Sequence, residues 1–135
     1  MKLLADTSGL VAFFNRNDAY HGEARRWLKQ TPQARFLLTD LVLAETATRL
    51  AARAGANHAV DVARSLLASE RYQVVFVDEP IVRGALEKMA KHADKRLSLA
   101  DCASFEVIER LSLEGAFTFD RDFRDCGYRM VPAKP

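Results

Sequence analysis

Apolar positions in this chain fall into short unbroken runs, separated by longer stretches with helical period. The runs at 2–6 (KLLAD), 36–40 (FLLTD), 72–77 (YQVVFV), 116–119 (AFTF) and 128–131 (YRMV) are dominated by apolar residues. Runs of this kind predict strands buried on both faces. Between them, Ser8 is placed to cap a short helix over 9–15, which residues 15–18 break. A second helix is expected over 19–30, with Tyr20, Ala24, Trp27 and Leu28 on its apolar stripe and Pro32 beyond its end. Asp40 or Thr39 caps a third helix, which carries Leu43, Ala44, Ala47, Leu50 and Ala51 and stops at Gly55. A fourth runs from Asn57 to about Glu70. A fifth opens at Glu79-Pro80, with proline in a favourable first-turn position, and runs to about His92. The sixth starts at Ser98 and ends by Leu113, and a short helical turn covers 121–126. Strands alternating with helices in this order predict an α/β fold: a parallel sheet covered by helices on both sides. Ligands of such sheets gather beyond the carboxyl ends of the strands, which directs attention to the polar residues there.

Composition narrows the picture only a little. The 135 residues suit a single domain, 1–135, with a sizeable core. Apolar content of 49% and charged content of 28% are those of an ordinary soluble protein. Twenty Lys and Arg against 18 Asp and Glu leave a net charge of +2, which neither requires nor excludes a nucleic-acid partner. Acids sequestered in one pocket would leave the remaining surface more basic than that sum. Cys102 and Cys126 are far apart and form no CxxC pair, so they read as two reduced thiols of a cytoplasmic protein. Asp6 interrupts the N-terminal apolar run, so no signal peptide is expected. No segment is long enough to span a membrane.

The candidate chemistry lies in four acids. Asp6 ends the first strand, Glu45 lies in the third helix, Asp101 opens the sixth, and Asp120 follows the fourth strand. Each has a purely structural alternative. Asp6 and Asp120 are placed to cap the helices after them. Asp101 completes a Ser-x-x-Asp capping box with Ser98. Glu45 is spaced to pair with Arg49 at i,i+4. Three of the four nevertheless fall at loop ends of one sheet, and Glu45 on the first turns of its helix reaches the same rim. Clustered carboxylates repel unless a cation lies between them, and hard oxygen donors suit Mg²⁺ or Mn²⁺. Such a centre is a means of cutting phosphodiesters. Asp122 is a candidate further ligand or a solvated turn residue. Ser8, Thr7 and Thr118 are placed to hydrogen-bond ligating carboxylates. His21, near a helix start, reads first as structural. Lys88, Lys91, His92, Lys95 and Arg96 form a basic run before the Ser98 helix, and Arg121 and Arg124 flank Asp120. Lys95, Arg96 and Arg121 are the candidates for holding RNA phosphates.

LADTSGLVAFF around Asp6, LVLAE at Glu45, SLADCASF around Asp101 and AFTFDRDF around Asp120 together resemble the PIN-domain nucleases, and within them the VapC-type ribonuclease toxins. The resemblance covers nearly the whole chain. It implies a three-layer α/β/α sandwich whose five parallel strands run in the order 3-2-1-4-5. It implies a Mg²⁺- or Mn²⁺-dependent endoribonuclease that leaves a 5′-phosphate and a 3′-hydroxyl. Asp6, Glu45, Asp101 and Asp120 match the four family acids, Asp122 an additional acid of some members, and Ser8 and Thr118 the accompanying hydroxyls. It also implies RNA as substrate, a VapB-type antitoxin as partner, and a homodimer.

Rival classes are less well matched. A phosphoacceptor receiver domain wants an acidic pair after the first strand and a late-strand lysine. Here Asp6 is alone and the late strand leads to Asp120. A phosphatase working through an aspartyl-phosphate wants D-x-D where this chain has Asp6-Thr7-Ser8. A housekeeping RNA-processing nuclease and a non-catalytic metal- or RNA-binding module remain open on sequence alone.

Overall fold

A computed structural model describes residues 1–133. Twelve elements follow in chain order: β1 (Lys2–Ala5), α1 (Thr7–Phe14), α2 (His21–Gln30), β2 (Arg35–Thr39), α3 (Asp40–Ala54), α4 (Ala56–Ala68), β3 (Tyr72–Val75), α5 (Glu79–Lys91), α6 (Leu99–Arg110), β4 (Ala116–Phe117), α7 (Arg121–Asp125) and β5 (Met130–Val131). All strand pairs are parallel, and the sheet order is β3-β2-β1-β4-β5. The chain winds outward from β1 through β2 to β3, then crosses back to β4. The crevice between β1 and β4 is therefore the switch point of the sheet.

Side chains alternate between two cores, as the pleat requires. Leu3, Phe36 and Leu38 pack with Leu10, Val42, Leu50 and Phe117 in one. Leu4 and Leu37 pack with Ile81, Phe105, Ile108 and Phe123 in the other. Neighbouring residues of one strand thus serve opposite layers, and this accounts for the unbroken apolar runs. Each large side chain so buried contributes roughly 1.5–3 kcal/mol. At Gly9 helix α1 lies directly on β4: a Cβ there would stand 2.5 Å from the Phe117 carbonyl oxygen. Only glycine allows that approach, which brings the first turn of α1 against the end of β4.

The elements match the sequence expectations in type and order, with shorter strands. β4 stops at Phe117 instead of 119 because the next amides leave the ladder: Phe119 N–H donates to Ser8 Oγ and Asp120 N–H to Thr118 Oγ1. β3 ends at Val75, and the Val77 N–H is taken by the Asp40 carboxylate at 2.8 Å. Thr39 is therefore the α3 cap, accepting from Val42 N–H. Helix α1 starts at Thr7, earlier than the expected 9. No helix among the described residues is long and apolar enough to cross a membrane.

Candidate active site

Asp6 is fixed first by backbone. It follows β1 directly, and its N–H donates to the Phe117 carbonyl at 3.0 Å. It occupies the N-cap position of α1, yet its side chain caps nothing. Instead Asp6 Oδ2 accepts from Ser8 Oγ at 2.9 Å and from Thr118 Oγ1 at 2.8 Å. The two hydroxyls also stand 3.0 Å from each other, and each accepts a backbone N–H from the β4–α7 loop. The carboxylate, the start of α1 and the end of β4 are thereby one hydrogen-bonded unit. Asp6 is only 5% exposed. Burial pushes its carboxyl up to about 6; the Thr118 and Ser8 bonds oppose the rise and the Asp101 charge adds to it.

Capping and site roles coincide at the other two loop-end acids. Asp101 and Ser98 form a reciprocal capping box, with Asp101 N–H on Ser98 Oγ at 3.0 Å and Ser98 N–H on Asp101 Oδ2 at 3.1 Å. Asp120 caps α7 by accepting from Asp122 N–H at 2.9 Å. Glu45 lies on the second turn of α3, half-buried, with Arg49 at 3.5 Å. All four carboxylates line one cavity of about 150 Å³, together with Thr7, Ser8, Arg49, Arg96 and Ser98. The acids feel one another there. The Asp101 carboxyl is raised by burial first, with Asp120 and Glu45 adding to the rise.

This donor set suits a hard divalent cation. It offers carboxylate oxygens from four elements, and the buried Thr7 hydroxyl on the same wall has no hydrogen-bond partner. Among the described residues no three acids, histidines or cysteines stand as a ready-made ligand cage. An open arrangement accords with Mg²⁺, which keeps several of its waters when protein-bound.

The remaining sequence candidates divide. Ser8 and Thr118 bond Asp6 as expected, whereas the Thr7 hydroxyl bonds no carboxylate. The Asp122 side chain does not line the cavity; its backbone N–H serves Asp120. Arg96 is on the cavity wall. Lys95 lies outside it; burial raises the Asp122 carboxyl and the Cys126 thiol, and the nearby Lys95 charge opposes both rises. Arg121 lines a neighbouring cavity instead. His21 is structural, its Nδ1 donating to the Ala12 carbonyl at 2.9 Å. Lys88 leaves the basic run altogether, binding Glu106 at 2.6 Å and Glu109 at 3.1 Å between α5 and α6. Sequence reading passed over Glu106, although an acid inside the apolar run SFEVIER signals a buried charge in need of a partner. It also read Arg49 only as a partner of Glu45 and missed its place on the cavity wall.

Comparison with known proteins agrees with this fold. The PIN domain family model matches residues 3–127. The 23S rRNA-specific endonuclease VapC20 of Mycobacterium tuberculosis is 32% identical over 127 residues, spanning 93% of this chain and 95% of that protein. The crystal structure of Mycobacterium tuberculosis VapC20, described as a sarcin–ricin loop cleaving toxin, superposes with a TM-score of 0.88 at 31% identity, covering 98% of this chain and 99% of that one. VapBC2 from Rickettsia felis, bound to a DNA fragment from its promoter, gives a TM-score of 0.71 at 11% identity, covering 96% and 97% of the two chains. At that identity the likeness shows the fold alone. The family match over most of the chain and the identity to a curated endonuclease give one answer: the chain belongs to the PIN-domain nuclease family, among its VapC-type endoribonuclease toxins.

Proposed function

We propose that this chain hydrolyses a phosphodiester bond in a ribosomal RNA loop, with Mg²⁺ or Mn²⁺ held by Asp6, Glu45, Asp101 and Asp120. The observation that carries this reading is the convergence of carboxylates from four separate elements on one cavity at the sheet's switch point. The choice of RNA rests on the VapC20 relative, whose substrate is 23S rRNA.

When bound, the ion supplies charge neutralisation at the phosphate and a lowered pKa for the attacking water. The chain's own residues supply orientation. Ser8 and Thr118 aim the Asp6 carboxylate by both bonding one of its oxygens, Oδ2. The capping bonds do the same for Asp101 and Asp120, so three of the four acids are held by hydrogen bonds before any ligand arrives. Arg49 and Arg96 offset part of the acidic field and give the phosphate a cationic approach. Lys95 and Arg121 hold phosphates further along the strand. The protein acts in the cytoplasm as a homodimer, and a VapB-type antitoxin silences it.

The test is cleavage of a sarcin–ricin stem–loop RNA by purified protein with Mn²⁺, with EDTA, and by the D101N variant. The amide oxygen that D101N introduces still accepts the Ser98 N–H, so the helix start survives the change. Loss of even an outer-shell partner of a metal typically costs 10–100-fold, so D101N should cost about 100-fold or more, at a melting temperature no lower than the parent's. Cutting that is indifferent to EDTA, or undiminished in D101N, would overturn the assignment.

A further inference from the structure

The acid cavity has a neighbour. A second cavity of about 250 Å³ opens on the other side of the β4–α7 loop, lined by Tyr20, Phe119, Arg121, Arg124 and Arg129, with Glu23 as its one acid. Consecutive residues divide between the two: Phe119 lines the second cavity and Asp120 the first. The Phe119 N–H donates to Ser8 Oγ, the same hydroxyl that holds Asp6, so this wall is fixed relative to the carboxylates. Tyr20 stacks on Phe119 with ring centroids 4.6 Å apart and planes 8° from parallel. Tyr20 does so at the surface, 42% exposed, while Phe119 beneath it packs against the first core.

We propose that this second cavity is a subsite for an unpaired nucleobase flanking the cut, a role that rests on RNA being the substrate. The Tyr20–Phe119 stack supplies a flat aromatic face, and Arg121, Arg124 and Arg129 hold the adjoining phosphates. Single-stranded RNA is gripped in this way, by stacking on aromatic rings and by arginines on its backbone. Three cations against one acid suit a polyanion. The volume lies below the roughly 300–1,000 Å³ of pockets that enclose drug-sized ligands and suits a single base. Continuity through Phe119 and Asp120 sets that base within a nucleotide or so of the scissile phosphate. A protein tail with acidic and aromatic residues would find some of the same features, and the test separates the two.

The test uses the full chain and its Tyr20→Ala and Tyr20→Phe variants, with folding verified by circular dichroism and melting temperature. Two readouts are taken. The first is anisotropy of a fluorescein-labelled single-stranded RNA in EDTA, which needs no cutting. The second is kcat/KM on stem–loop RNAs carrying one abasic nucleotide at each loop position in turn. Stacking of one base leads us to expect RNA binding at least roughly 10-fold weaker in Tyr20→Ala, with Tyr20→Phe near the parent. One abasic position next to the cut should lower the parent's kcat/KM by a similar factor and have no further effect on Tyr20→Ala, since both remove one contact. If the parent cuts RNA but Tyr20→Ala binds and cuts like it, the subsite is wrong and the nuclease stands. If the parent binds RNA in a Tyr20-dependent manner without cutting, the subsite stands and the nuclease reading falls. A parent that neither binds nor cuts RNA overturns both. Unchanged RNA binding in Tyr20→Ala, with weakened binding of a purified antitoxin, would reassign the cavity to a protein partner.

Discussion

Replacing Asp6 by asparagine should stabilise the metal-free protein, and the gain should depend on pH in a defined way. The Asp6 carboxyl, ordinarily near 3.8, is pushed up to about 6 in the native state, mainly by burial. A group raised on folding favours the native state only while protonated. Its contribution is complete below 3.8, declines as pH rises, and is gone above 6, where the folded chain carries a buried, crowded charge. At 1.36 kcal/mol per unit, a rise from 3.8 to about 6 corresponds to about 3 kcal/mol. The amide introduced by D6N keeps an oxygen for the Ser8 and Thr118 hydroxyls and never ionises. The stability difference between D6N and the parent should therefore be near zero at pH 4, grow up to pH 6 and stay level beyond. At pH 8 in EDTA the plateau should reach about 3 kcal/mol, or roughly 10 °C in melting temperature for a chain of this size. Urea unfolding at a series of pH values measures it, and taking the difference cancels the other titrating groups. Saturating Mn²⁺ should close the gap, since a ligand at 100 times its Kd adds about 2.7 kcal/mol to the parent and less to D6N. A D6N protein no more stable than the parent at pH 8 in EDTA would refute the reasoning. So would a difference that does not change between pH 4 and 6.

Other perturbations follow from packing and charge. Gly9→Ala pushes a methyl against the Phe117 carbonyl; we expect a loss of roughly 1–3 kcal/mol, with cleavage reduced even where the protein remains folded, because Ser8 and Asp6 shift with the helix. Lys88→Met removes one cationic partner of Glu106 and leaves Arg110. Burial works to raise the Glu106 carboxyl, but the Lys88 and Arg110 bonds outweigh it and hold it below the usual range. The variant should lose roughly 1–3 kcal/mol at pH 7 and less at low pH, with RNA cleavage unchanged, since α5 and α6 meet there away from the acid cavity. Arg96→Ala should weaken RNA binding and lower the slope of log affinity against log salt by about 1, the mark of one lost phosphate contact.

The sheet was readable because strands buried on both faces cannot alternate, so Leu3-Leu4 and Leu37-Leu38 announce a two-sided core. Helix starts were readable where a side chain caps them, as Thr39 and Ser98 do, or where a proline marks the first turn, as Pro80 does. The acids were readable as a set but ambiguous singly. Asp101 and Asp120 do cap helices and do line the cavity, so neither role excludes the other. Asp6 stands at an N-cap without capping: Ser8 two residues on and Thr118 after β4, more than a hundred residues on, both bond its carboxylate, and only the second partner depends on the fold. Lys88 was misjudged for a like reason. Its partner Glu106 comes from the next helix, and no local spacing reveals that α5 and α6 meet there, with Gly84 making room for the carboxylate.

The pairing of β1 with β4 has a bearing on when the enzyme can become dangerous. Thr118, which aims Asp6, and Asp120 both stand more than a hundred residues after Asp6. During synthesis Asp6 and Glu45 emerge well before the other half of their pocket. The four-acid arrangement forms only after the β4 segment is out and paired with β1. The acid pocket is in this way a property of the assembled sheet, and a partial chain that stops short of β4 does not have it.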